Sequence, residues 1–258
     1  LSVDEGGNFV IPLLSGHIGG ANGFAKALAE VIKATPVVTT ATDVNKLFAV
    51  DEWAARNNMI INSMKAAKDF AAALVDGQEV GLFTDYPIIS ALPRQIVLKD
   101  KGVTGLAITK NRNVNPFDLT VQLWPRNIYL GIGCRRGTTL ESIETLVLPK
   151  LKELGIDLRT IVGVASVDLK KDEAGLLNFA AKYNWEISFF TAEELQNAAG
   201  EFSSSDFVKS VVGVSNVCER SAVLAANNGS IISSKCSLNG VTLAVAEADI
   251  VLDFEKLS

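Results

Sequence analysis

The sequence predicts an α/β protein, with layered α/β sheets in a multidomain chain and a C-terminal three-layer α/β/α domain. Three observations predict it. Short β-branched runs of strand length alternate with stretches in which apolar residues return at helical spacing. The alternation is sustained over the second half of the chain, from Ile128 to Ala246, as expected of helices layered on a sheet. The chain has 258 residues, 48% hydrophobic and 21% charged, which suffices for a sizeable core and, on length alone, about two domains.

The elements follow in order. Met59 is the first methionine, so the natural start is expected upstream of Leu1, and residues 1–45 read as the tail of a domain whose beginning is missing. Residues 8–14 are a core strand running into a glycine-rich loop. A helix over 23–32 follows, with Phe24, Ala27, Leu28, Val31 and Ile32 at helical spacing as its buried face. The β-branched run from Thr35 ends in polar residues at Asp43, the pattern of a buried parallel strand that reaches a site at its carboxyl end.

Residues 46–125 read as a small α/β module. Helices are expected over 50–57 and 64–75, and strands at 60–61, 80–83, 96–98, 106–109 and 119–123, separated by Pro, Gly and Asn. Trp124-Pro125-Arg126 punctuates the chain, and residues 126–258 form the third domain. Its first strand, 128–133, leads to a helix opened by Thr138 with Glu141, closed by Gly155 and kinked at Pro149. Strands at 161–165, 187–190, 231–233 and 241–246 alternate with helices over 173–183, from Thr191 with Glu194, and over 217–227, where Asn216 caps. The serine run Ser203-Ser204-Ser205 is expected to be a connection.

Composition excludes several classes of function. A net charge of −5 with no Lys/Arg-rich run argues against nucleic acid as a partner. No apolar run approaches the roughly 20 residues of a membrane helix. The cysteines Cys134, Cys218 and Cys236 are odd in number and lack paired spacing, so they read as reduced thiols of a cytoplasmic protein, with no credible protein metal site.

Two loops carry chemistry. The stretch Ser15-Gly16-His17-Ile18-Gly19-Gly20-Ala21-Asn22 places the protein's single histidine in a glycine-rich turn that opens a helix. Glycine lets backbone N–H groups approach a ligand, and the helix dipole favours an anion at the same place. His17 is the candidate base, Asp43 is the carboxylate expected near it, and Ser15, Gly16, Gly19, Gly20 and Asn22 are candidate substrate contacts. The alternative for His17 is an imidazole that holds the loop in shape.

The second loop is Gly131-Ile132-Gly133-Cys134-Arg135-Arg136-Gly137-Thr138, between a strand and a helix. Its arginines and glycine spacing do not suit a dinucleotide pyrophosphate. Paired guanidinium forks suit carboxylates, so Cys134, Arg135, Arg136, Gly137 and Thr138 are candidate substrate contacts, with Lys170 from the next strand-to-helix turn. The alternatives are solvated arginines on a tight turn, a Cys134 that fills space as a small hydrophobe, and an Asp172 that caps the following helix.

Both loops, with Thr35-Pro36-Val37-Val38-Thr39-Thr40-Ala41-Thr42-Asp43 and Leu47-Phe48-Ala49-Val50-Asp51-Glu52-Trp53, resemble the CbiG family of cobalamin biosynthesis, the cobalt-precorrin-5A hydrolases. The third domain resembles the family's carboxyl-terminal part, which also occurs as the stand-alone CobE-type protein of the aerobic pathway. The resemblance covers the chain in family order. It implies an enzyme that opens a δ-lactone on a cobalt-bound tetrapyrrole and releases acetaldehyde, with the cobalt carried by the substrate and no cofactor of the protein's own. It also implies other enzymes of the pathway or a second copy of the chain as partners. The competing reading is a non-catalytic corrinoid-binding or carrier module.

Overall fold

The computed structural model describes residues 1–13, 20–39, 44–111, 113–200, 202 and 216–255. The chain forms two compact units, one of Leu1–Pro125 with Val251–Ser258 and one of Arg126–Ile250.

The first unit begins with a small sheet of β1 (Ser2–Val3), β2 (Phe9–Ile11) and β3 (Thr35–Pro36), in the order β1-β2-β3, with α1 (Ala21–Ile32) crossing between the parallel β2 and β3. The expected buried face of α1 is not the one that packs. Ala25 and Ala29 meet Val10 in the core, while Phe24 is 61% and Val31 80% exposed. Apolar residues occupy a wider arc of the helix than three short strands can cover, and the small alanines permit the closest approach. Within the described residues the strand expected to reach Asp43 is regular only at Thr35–Pro36.

The same unit continues with α2 (Val50–Arg56), β4 (Met59–Ile61), α3 (Met64–Val75), β5 (Val80–Thr84), β6 (Ile96–Leu98), β7 (Gly102–Ile108) and β8 (Phe117–Pro125). Ser63 caps α3, its hydroxyl accepting from the Ala66 N–H. The sheet order is β4-β8-β7-β5-β6, parallel except for β4.

The chain's last described residues also belong here. Leu252 bridges to Ile88, the Trp53 indole donates to the Asp253 carbonyl at 3.0 Å, and Phe254 stacks on Trp53 with ring centroids 4.7 Å apart. The domain expected to run over 126–258 therefore closes at Ile250.

The second unit is a three-layer α/β/α sandwich. Its strands are β9 (Ile128–Cys134), β10 (Ile161–Val167), β11 (Glu186–Phe190), β12 (Ser230–Leu238) and β13 (Val241–Glu247), in the order β11-β10-β9-β13-β12. Strands β9, β10 and β11 are parallel, and β13 runs antiparallel to both neighbours. Helices α4 (Leu140–Glu153) and α5 (Ala174–Lys182) bury Ile143, Val147, Leu151, Leu176 and Phe179 against Leu130, Ile132 and Leu243. After α6 (Ala192–Gln196), helix α7 (Val217–Ala225) covers the opposite face, with Cys218, Ala222 and Val223 against Ala244 and Ala246. Successive side chains of a strand point to opposite faces, so β9 serves both layers.

One local expectation changes. The α4 cap is Thr139, whose hydroxyl accepts from the Ser142 N–H, while Thr138 turns its hydroxyl back to the Arg135 carbonyl. Pro149 lies inside α4, which runs on to Glu153. Gly155 closes it, as expected, in a Schellman motif, with Ile156 N–H on the Leu151 carbonyl and Gly155 N–H on that of Lys152.

Candidate functional site

Parallel strands gather their carboxyl ends on one rim, and ligands of open α/β sheets bind there. In the second unit that rim carries the turn after β9 and the turn after β10. The first turn is fixed by local bonds. The Arg135 carbonyl accepts from the Thr138 hydroxyl at 2.7 Å, Gly137 takes the positive φ of 74° that the third residue of such a turn requires, and Arg135 N–H donates to the Gly240 carbonyl at the β12–β13 hairpin.

The second turn is a single 3₁₀ turn over Asp168–Lys170, followed by Lys171, Asp172 and Glu173. It docks closely on the first. A Cβ on Gly175 would lie 2.0 Å from the Thr138 carbonyl oxygen, so only glycine lets the start of α5 come this near.

Two carboxylates join the turns. Arg136 donates to Asp172 at 2.7 Å across an open surface. That bond holds the Asp172 carboxyl below its ordinary range and raises the Arg136 guanidinium. Glu173 lies underneath, 4% exposed, one oxygen accepting from the Gly137 N–H at 2.8 Å and the other 3.4 Å from the Lys170 ammonium. Asp172, for which a helix cap was one alternative, therefore pairs with Arg136, and Glu173 occupies the cap position of α5. Among the described residues the Arg135 guanidinium has no carboxylate partner, which leaves its fork available to a ligand.

Burial pushes the Cys134 thiol above its ordinary range and Glu173 adds to the rise, while Lys170 and the Thr138 hydroxyl oppose it. Cys134 is thus a neutral thiol at pH 7, in keeping with a space-filling role.

The rim brings together Cys134, Arg135, Arg136, Gly137, Thr138 and Lys170, all expected from sequence. From the sequence Glu173 is the first residue of a helix and one of the charges of the turn over 168–173, not a buried anchor of the rim. Its signal was available: Glu173 lies three residues before Leu176 and seven before Ala180, both buried, so a carboxylate stands on the apolar stripe of α5.

The other predicted loop is described only in part. Ser15, Gly16, His17, Gly19 and Asp43 lie outside the described residues, as do Ser203, Ser204 and Ser205. Gly20 stands at the N-cap of α1 with φ 70°, and Asn22 is buried in the first turn.

Three family models match the chain in order: Cobalamin synthesis G N-terminal over residues 1–43, Cobalamin biosynthesis central region over 48–125 and Cobalamin synthesis G C-terminus over 128–246. The cobalt-precorrin-5A hydrolase of Salmonella typhimurium is 34% identical over 259 residues, covering 95% of this chain and 73% of that protein. The chain belongs to the CbiG family. Its relative in Priestia megaterium, of the same name, is 30% identical, covering 95% of this chain and 70% of that one. Among solved structures, a cobalamin biosynthesis protein G homolog from Sulfolobus solfataricus is 24% identical, with a TM-score of 0.43 over 96% of this chain and 73% of that one. The CbiG carboxyl-terminal match, 128–246, holds the whole β9–β10 rim described above.

Proposed function

We propose that this chain is a cobalt-precorrin-5A hydrolase, acting on a lactone of a cobalt-bound tetrapyrrole. The observation that carries the reading is the 34% identity to a protein of that name across 95% of the chain. The cobalt is part of the substrate. No helix among the described residues is long and apolar enough to cross a membrane. The proposed role fits a cytoplasmic protein that meets other enzymes of the pathway or a second copy of itself.

The chemistry needs an activated water, donors for a developing oxyanion and anchors for a polycarboxylate macrocycle. His17, alone of its kind in the chain, is the general base, with Asp43 as its orienting carboxylate. Water adds to the lactone carbonyl, the ring C–O bond breaks, and a carboxylate and a free hydroxyl result. Removal of the hydroxyl proton then expels acetaldehyde, the electron pair of the broken carbon–carbon bond remaining on the macrocycle. Backbone amides around Gly19, Gly20 and Asn22, with Ser15 and Gly16, supply oxyanion donors. Arg135, Arg136 and Lys170, seated on the turn formed with Cys134, Gly137 and Thr138, hold substrate carboxylates.

The test is an anaerobic assay of acetaldehyde run beside the absorbance of the macrocycle, without added nucleotide, flavin or nicotinamide. Acetaldehyde is expected in step with substrate loss. His17→Gln is expected to lower turnover by ~10²–10⁴-fold, the usual contribution of a general base. Binding without acetaldehyde would overturn the hydrolase reading.

A further inference from the structure

Glu173 is a carboxylate that the chain buries at a cost. Burying a carboxylate is unfavourable unless it is paired and hydrogen-bonded, and an apolar side chain of similar volume would serve the packing of α5 as well or better. Its two oxygens face different turns. One accepts from the Gly137 backbone at 2.8 Å, directly beside Arg136, and the other lies 3.4 Å from Lys170, whose side chain is only 15% exposed. The surface bridge between Arg136 and Asp172 spans the same two turns but stands in solvent, where screening weakens it.

We propose that Glu173 is a positioning residue for substrate binding, which fixes the arginine-bearing turn after β9 and the Lys170 ammonium after β10 in one arrangement facing the substrate carboxylates. The proposal rests on the hydrolase reading. Glu173 itself is too deeply buried to meet substrate. It acts through the Gly137 N–H, which sets the direction of the turn, and through Lys170, which would otherwise swing on its four-carbon stem.

The role predicts a split between binding and chemistry. Glu173→Met keeps the volume and removes the acceptor, and KM is expected to rise about 10- to 100-fold, the scale of a misplacement near 1 Å. Turnover at saturation is expected within about threefold of wild type, because the reacting groups are untouched. Glu173→Gln, whose amide oxygen still accepts from Gly137, is expected to restore most of the affinity. Two further readouts do not depend on turnover: the exchange rate of the Gly137 amide hydrogen, faster in Glu173→Met, and the Kd for cobalt uroporphyrin, an octacarboxylate tetrapyrrole, raised in the same variant.

If Glu173→Met binds and turns over like wild type, or loses kcat with KM unchanged, the positioning role is overturned while the hydrolase reading stands. If wild type neither forms acetaldehyde nor binds cobalt uroporphyrin, the functional reading falls and takes this proposal with it.

Discussion

Arg135 and Arg136 are neighbours in sequence and differ in circumstance. Arg136 already pairs with Asp172, both side chains being more than two-thirds exposed, whereas among the described residues Arg135 is held through its backbone, to Gly240 and Thr138, and its guanidinium has no carboxylate partner. An incoming carboxylate must displace Asp172 to reach Arg136 but, among the described residues, meets no competing carboxylate at Arg135. Arg135→Gln should therefore raise KM more than Arg136→Gln, and flatten its rise with salt, since a lost charge contact reduces the screened part of binding. Loss of the exposed pair should cost the fold no more than about 1 kcal/mol. Steady-state kinetics of both variants at low and high ionic strength decide the order, and equal effects would mean that Asp172 gives way freely. The adjacency that made this pair visible in the sequence could not reveal the difference, because Asp172 lies thirty-six positions away and meets Arg136 only once two turns are folded together.

At the scale of elements, local chemistry was legible and packing partners were not. The helix at Met64–Val75 emerges with the expected bounds, and Thr191 with Glu194 forms the full capping box that their spacing implies. The shift from Thr138 to Thr139 came from two adjacent candidates, of which the turn claimed one. The longer reach of β12 followed a missed signal: Asn239-Gly240 is a two-residue hairpin turn with both φ values positive, joining Leu238 to its partner Val241. The face of α1 was misread because periodicity finds an apolar arc without saying how much of it a neighbour can cover. A glycine in β9 shows the same limit from the other side. Gly131 belongs to a motif that invites a ligand reading, yet a Cβ there would stand 1.8 Å from the Cys218 carbonyl oxygen, so its use is to let α7 lie on the sheet. Gly131→Ala must push that helix outward, and should cost about 3 kcal/mol, the upper end of the usual range for overpacking. A urea midpoint equal to that of wild type would show that α7 has room to yield.

For the whole molecule, the decisive feature is that the chain leaves the first unit at Pro125 and returns to it at Val251. Composition marked the departure, through Trp124-Pro125-Arg126, but nothing in the short segment after Ile250 announces a return. The segment is held by contacts made far back in the chain: Leu252 against Ile88, the Asp253 carbonyl under the Trp53 indole, the Phe254 N–H on the Ser90 hydroxyl, and the Phe254 ring stacked on Trp53 and edge-on to Phe48. These contacts all lie within the first unit, while the sandwich from Arg126 to Ile250 has its own core on both faces of its sheet. Truncation after Ile250 should therefore weaken the unit at the other end of the sequence. Phe254→Ala alone is expected to cost that unit about 2 kcal/mol, between the ~1 kcal/mol of an aromatic pair and the 3–5 kcal/mol of a fully buried phenylalanine. Hydrogen exchange followed by mass spectrometry reads the location of the loss. Peptides around Trp53, Ile88 and β4 should exchange faster in both variants, with peptides of β9, β10 and β13 unchanged. Faster exchange confined to residues 126–250 would place the C-terminal segment with the sandwich after all, and would make the sequence boundary at 126 the only crossing between the units.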